Sequence, residues 1–210
     1  MRSVMKKIPF FAVSLAALLW IGCSEPPHTE TKKEPAKPPV AVTGQSGLFQ
    51  MYQVARAKFS PDAQVLKMNS IHVAEVPGVP GKAGAWQATF TSASLGKTQT
   101  YTYSVIEQEG NMHKGVYPTD GGSWSGRSGV NTAFPLSTVS IDSDAAYKAA
   151  LEKAGDYDQK HPGMPISFLL EMTDKYHMPV WRVIWGESIG TSSFSIYVDA
   201  MKGQFLEKMH

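Results

Sequence analysis

The feature that most constrains the fold of this chain is a match between its two halves. Tyr52, Ala55 and Lys58 recur as Tyr147, Ala150 and Lys153, and Trp86 recurs as Trp181, all at one separation of 95 residues. After a gap of two, Tyr101, Tyr103, Val105 and Gly110 match Phe194, Ile196, Val198 and Gly203 at a separation of 93. A tyrosine-to-tryptophan spacing of 34, followed by the same alternating strand and the same glycine, indicates an internal repeat.

Each copy opens with a helical pattern. Leu48, Met51, Tyr52, Ala55 and Phe59 share one face in the first, and Tyr147, Ala150, Leu151 and Ala154 in the second, with Asp142 or Ser143 as N-cap. Pro61 and Gly155 mark the ends. A β-prone run follows in each copy, Gln64 to Met68 extending to Val73, and Ile166 to Met172. Trp86 to Phe90 and Val180 to Trp185 come next, and then a strongly alternating strand. In the last strand Phe194, Ile196 and Val198 point one way and Ser195, Tyr197 and Asp199 the other, so one face is buried and one is wet. The expected fold is therefore α+β: two tandem units, each a helix packed on an antiparallel β-sheet. Residues 47–117 form the first unit, 118–141 a Gly/Ser-rich crossover, and 142–210 the second.

The second copy resembles a known family. Its stretch Pro179-Val180-Trp181-Arg182-Val183, a turn, and Ile196-Tyr197-Val198-Asp199-Ala200-Met201-Lys202-Gly203-Gln204-Phe205-Leu206 is similar to a PepSY domain, whose signature ends in YVDAxTGxxL. Lys202 stands where the pattern has Thr, while Asp199, Ala200, Gly203 and Leu206 match. The first copy keeps only Gly110 of that turn and is divergent. The resemblance implies a non-catalytic module, similar to the inhibitory propeptides of secreted peptidases, that binds or regulates another envelope protein. The Asp199 carboxylate is expected to cap the turn while Gly203 takes positive φ.

The N-terminus predicts export. Arg2, Lys6 and Lys7 precede the uncharged run Ile8 to Gly22, the layout of a signal peptide over residues 1–22. At ~1.5 Å per residue this run reaches about 22 Å, short of the roughly 30 Å hydrocarbon core. The sole cysteine, Cys23, follows it directly and resembles the lipid-bearing residue of a lipobox. Residues 23–46 then read as a lipidated N-terminus and a disordered Pro-, Lys- and Glu-rich tether. Ser24 after the cysteine, where an aspartate would favour inner-membrane retention, points to an outer-membrane lipoprotein facing the periplasm.

Composition and spacing set the remaining expectations. Loss of residues 1–22 removes three positive charges and turns the formal +2 into −1, which offers no basic patch for nucleic acid. The six histidines are scattered without ligand spacing, so no metal and no cofactor are expected. Gly186-Glu187-Ser188-Ile189-Gly190 fits G-x-S-x-G, with Asp199 and His210 following, but Ser188 lies between two strands where a nucleophile elbow needs a helix next. Gly121 to Gly129 lacks the Gly-Lys-Ser/Thr ending of a phosphate loop. The expectation is a non-enzymatic, lipid-anchored envelope protein that binds another exported protein such as a peptidase, with membrane contact through the lipid. The alternative is a ligand-binding lipoprotein with a small-molecule or peptide site between the two units. Trp124 and Arg127, set among the crossover glycines, are the candidate partner-binding residues.

Overall fold

The computed structural model describes residues 38–110 and 112–209. The expected signal peptide, Cys23, most of the tether and His210 lie outside them. The first half comprises β1 (Val42–Thr43), α1 (Gly44–Lys58), β2 (Gln64–Ile71), β3 (Lys82–Ala83), β4 (Ala85–Ser92), β5 (Lys97–Ser104) and β6 (Gly115–Ser123). The second comprises α2 (Ser143–Ala154), α3 (Tyr157–Lys160), β7 (Ile166–Met172), β8 (Pro179–Trp185), β9 (Phe194–Asp199) and β10 (Phe205–Met209). No described helix is long and apolar enough to cross a membrane.

The fold is α+β around one large antiparallel sheet of eight strands, ordered β10-β9-β8-β7-β2-β4-β5-β6. Each half thus supplies a helix and then a four-strand meander, and the meanders join through their first strands. Ser70 stands opposite Trp86 in the first half and Leu170 opposite Trp181 in the second. One residue back, Asn69 and Leu169 face each other across the join, so the pairing pattern is symmetric about them. β6 takes in residues 118–123, which the glycine-rich reading left in the crossover, and Gly121 and Gly122 pair with Gln99 and Thr98.

Alternation decides which face packs on the helices, but in β9 the face expected to be wet is buried as well, with Ser195, Tyr197 and Asp199 at 1%, 8% and 2% exposure. Val65, Met68, Trp86, Phe90, Phe168, Trp181, Val183 and Ile196 point to one side and pack against Leu48, Met51 and Ala55 of α1 and Ala146, Ala150 and Ala154 of α2. At its centre the Trp86 and Trp181 rings meet edge to face with centroids 6.3 Å apart, both fully buried. Their indole N–H groups donate to Val42 O (3.1 Å) and Ile141 O (2.8 Å), which fixes the segment entering each helix.

The chain enters α1 at Gly44, inside what composition reads as tether, because glycine is needed there for contact rather than for propensity. A Cβ on Gly44 would come within 2.6 Å of Trp181 Cη2, and one on Gly47 within 2.9 Å of Trp86 Cδ1. The helix therefore lies flat on the tryptophan pair. Thr43 makes no side-chain cap. The second helix supplies the cap instead: Asp142 Oδ1 accepts from Ser143 N (2.7 Å) and from Gln45 N (2.8 Å), while Ser143 Oγ accepts from Gly44 N (2.7 Å).

Two details of the repeat differ from the sequence match. Trp86 pairs with Tyr103 and Trp181 with Val198, so Tyr103 corresponds to Val198 and no two-residue gap separates the copies. The buried helix positions Gly44, Gly47, Met51 and Ala55 likewise answer to Ser143, Ala146, Ala150 and Ala154, which moves Tyr147 opposite Leu48 rather than Tyr52. The final turn forms as expected: Asp199 Oδ1 accepts from Met201 N (2.7 Å) and Lys202 N (3.2 Å), and Gly203 has φ +72°. In the first half Ser104 Oγ takes the aspartate's place and accepts from Ile106 N (3.1 Å).

Replacing Trp86 or Trp181 by Ala is expected to cost about 3–5 kcal/mol in denaturant unfolding. Because the rings touch, the double variant should cost less than the sum of the two. A cost below about 1 kcal/mol for either single change would contradict this account of the core.

Candidate functional site

The join between the halves is short. β2 and β7 pair only at Lys67↔Glu171, Met68↔Leu170 and Asn69↔Leu169, and beyond these the strands part at both ends. At one end the crossover enters the gap. Val65 and Phe134 exchange both backbone hydrogen bonds (2.9 and 2.8 Å), Thr132 N donates to Met172 O (2.9 Å), and Asn131 bridges to Thr173. At the other end no described segment enters, and a cavity of about 500 Å³ opens.

Both halves build this cavity. The first contributes Ser70, His72, Val73 and Val76 and the loop 77–84, and the second contributes Tyr147, Asp158, Met164, Ile166 and Phe168, with Gly186 and Glu187 at the rim. Besides the pairing of β3 with β1, the loop is held by a contact that only glycine permits. Gly81 has φ +76°, a Cβ there would lie 2.2 Å from Asp144 Cα, and its carbonyl accepts from Ser143 Oγ at 2.5 Å. The residue that caps α1 therefore also pins the cavity wall.

Three polar side chains of the cavity lining, Ser70, Ser167 and Asp158, are committed to the fold. Ser70 Oγ accepts from Phe168 N (2.9 Å), closing the strand where pairing stops, and Ser167 Oγ donates to Gly186 O (2.6 Å). Asp158 Oδ1 accepts from Trp185 Nε1 (3.0 Å). Burial, and then the Asp158 charge, push the Tyr147 hydroxyl above its ordinary pKa, which keeps it a neutral donor. His72 is exposed. With both serine hydroxyls bonded to backbone, the lining suits an apolar or amphipathic ligand with a few polar anchors better than it suits nucleophilic chemistry.

The residues singled out from sequence lie elsewhere. Trp124 is half-buried, donates its backbone N–H to Gly96 O (2.8 Å), and lines a smaller cavity of about 330 Å³ beside Asp62 and Thr91. Arg127 forms an exposed ion pair with Asp174 in the β7–β8 turn. Ser188 is exposed between β8 and β9, its hydroxyl 3.0 Å from Thr191 Oγ1. Sequence reading missed His72, Phe168 and the loop around Gly81. Their only signal was the Pro77-Gly78-Val79-Pro80-Gly81 run, which marks a turn without saying what it faces.

On the face of the sheet away from the helices, the Tyr176 hydroxyl donates to Glu207 Oε2 at 2.5 Å, and the Tyr176 and Tyr197 rings lie 5.1 Å apart. The Arg182 guanidinium sits 5.4 Å above the Tyr197 ring. Glu171, on the short join, is buried. Burial raises its carboxyl pKa, opposed by Arg182, Asn131 and Lys67. No family model, curated protein or solved structure matches the chain.

The raised Glu171 pKa has a definite sign in stability. Its protonated form is favoured by the fold, so that contribution is present below about 4.5 and is lost as pH rises through the folded-state value. Glu171→Gln should therefore melt higher than wild type at pH 7, with the difference closing as pH falls below 4.5. A variant that melts lower than wild type at pH 7 would contradict the assignment.

Proposed function

We propose that this chain is a lipid-anchored binding protein of the bacterial envelope. It is tethered through Cys23 to the outer membrane, faces the periplasm, and holds a short segment of another exported protein, such as a peptidase, in the cavity between its halves. The finer fold reading, two tandem PepSY-like units with the first divergent, goes with it. That reading draws on the Asp199-to-Leu206 turn and on the shared order of helix and four strands in each half.

One observation carries the proposal. The join parts at both ends, the crossover fills one end, and the other is left as a cavity of about 500 Å³ walled by both halves. Of the cavity's apolar lining, Val79 is exposed and Met164 and Ile166 are half-buried, and a bound segment would cover them. The anchor rests on the placement of the single cysteine directly after the apolar run.

The second reading is a small molecule in the same cavity, favoured by its size, since such sites run roughly 300–1,000 Å³. Gly78 allows one variant to test both. Gly78 lines the cavity and a Cβ there would meet no atom within 4 Å, so Gly78→Trp adds a bulky ring at the lining without a clash at Cβ. Compared with wild type in capture from envelope extract, Gly78→Trp is expected to lose a specific exported protein while keeping its melting temperature. Loss of a small molecule instead, seen by native mass spectrometry, would select the second reading. An unchanged set of bound proteins and small molecules would overturn both.

The anchor has its own test. Fatty-acid labelling should mark wild type and not Cys23→Ala. Absence of label on wild type would remove the lipid anchor.

A further inference from the structure

The smaller cavity beside Trp124 has a chemistry of its own. It lies at the plugged end of the join, where the β2 start and the β4 end meet the crossover, and Asp62, Gln64, Thr91, Trp124 and Thr132 line it. Asp62 is held by neutral donors alone. Its Oδ1 accepts from Ser60 Oγ (2.5 Å) and Ser92 Oγ (2.6 Å), and its Oδ2 from Ser94 N (2.9 Å). These bonds keep the carboxyl ionised, well below the ordinary carboxylate range, with the Ser60 hydroxyl the largest cause.

Hydroxyl and amide donors stabilise a negative charge without cancelling it. Among the described residues no Lys, Arg or His forms an ion pair with Asp62, and none lines the cavity. The site therefore sets an exposed carboxylate that has no ion-pair partner beside Trp124 and the neutral side chains Gln64, Thr91 and Thr132 in about 330 Å³. A ring face and a fixed negative charge both attract a cation, and the side-chain oxygens of Gln64 and the threonines can take its remaining N–H groups. An anion would be repelled, and a neutral polar group would gain only the hydrogen bonds.

We propose that this cavity receives a cationic side chain, arginine or lysine, presented by a protein partner. Trp124 supplies the aromatic wall and Asp62 the countercharge. This site lies apart from the larger cavity and does not depend on what that cavity holds.

The test follows the indole Nε1–H resonance of Trp124, identified by its loss in Trp124→Phe, in the full chain. A capped Gly-Arg-Gly peptide is titrated to millimolar concentration. The matched peptide with citrulline, which keeps the shape and removes the charge, is the first control, and free guanidinium ion is the second. The arginine peptide is expected to shift the resonance and saturate, with citrulline weaker by about tenfold or more. Guanidinium alone should be weaker than the peptide if a presented side chain is the ligand. Asp62→Asn should weaken the arginine peptide by about tenfold, and Trp124→Leu, which keeps apolar cover while removing the ring, should weaken it comparably. Melting curves establish that both variants are folded. If either fails, Gln64→Ala provides the remaining arm and should weaken the peptide severalfold. Equal binding of arginine and citrulline peptides, no shift with either, or full affinity in folded Asp62→Asn would each overturn the proposal.

Discussion

Everything else in this structure depends on how little of β2 pairs with β7. The two meanders share one sheet through three residue pairs centred on Met68↔Leu170. A longer join would have closed the layer, and none at all would have left two exposed edges, each a template for unwanted pairing. Three pairs connect the halves and leave a gap at each end. The larger cavity lies in one of those gaps, walled by the long loop 72–84; the crossover fills the other, and the smaller cavity lies between the crossover and the first half.

The helical layer secures this arrangement. Trp86 and Trp181 meet beneath the helices, and each anchors the segment entering its own helix through the indole N–H. Gly44 and Gly47 let α1 approach those rings. Asp142 and Ser143 then serve three ends at once, capping α2, capping α1 and, through Gly81, pinning the wall of the larger cavity. A cap shared between helices ties the geometry of the two halves together, and the shape of the cavity follows from the same hydrogen bonds that stabilise the helix ends.

Much of the fold was legible in the sequence. β7 runs over Ile166–Met172 as expected, β8 differs by a single residue, and Asp199 and Gly203 close the last turn as their chemistry dictates. The alignment of the copies slipped twice, each time by one structural period. A shift of two along a strand, or of four along a helix, keeps every side chain on its face, so hydrophobic pattern alone cannot detect it. The cavity was out of reach for a different reason. It arises where strands part, and pairing between Asn69 and Leu169 is a property of residues far apart in the chain that leaves no local mark. Gly121 and Gly122, read as flexible, belong to a strand because β5 supplies a partner for them. Trp124 stands out in the sequence as an aromatic in a polar setting, but the Asp62 carboxylate that lines the same cavity becomes visible only in three dimensions.

The central claim is that the chain binds its partner at the open end of the join. Val79, on the cavity rim, and Leu151, on α2, are comparably exposed, at 39% and 38%. A photo-reactive phenylalanine analogue placed at each position in the full chain, expressed and exported in cells, measures this directly. Val79 should crosslink to one exported protein through a short contiguous peptide, and Leu151 should not. Crosslinking of the same protein from Leu151 with none from Val79 would contradict the account.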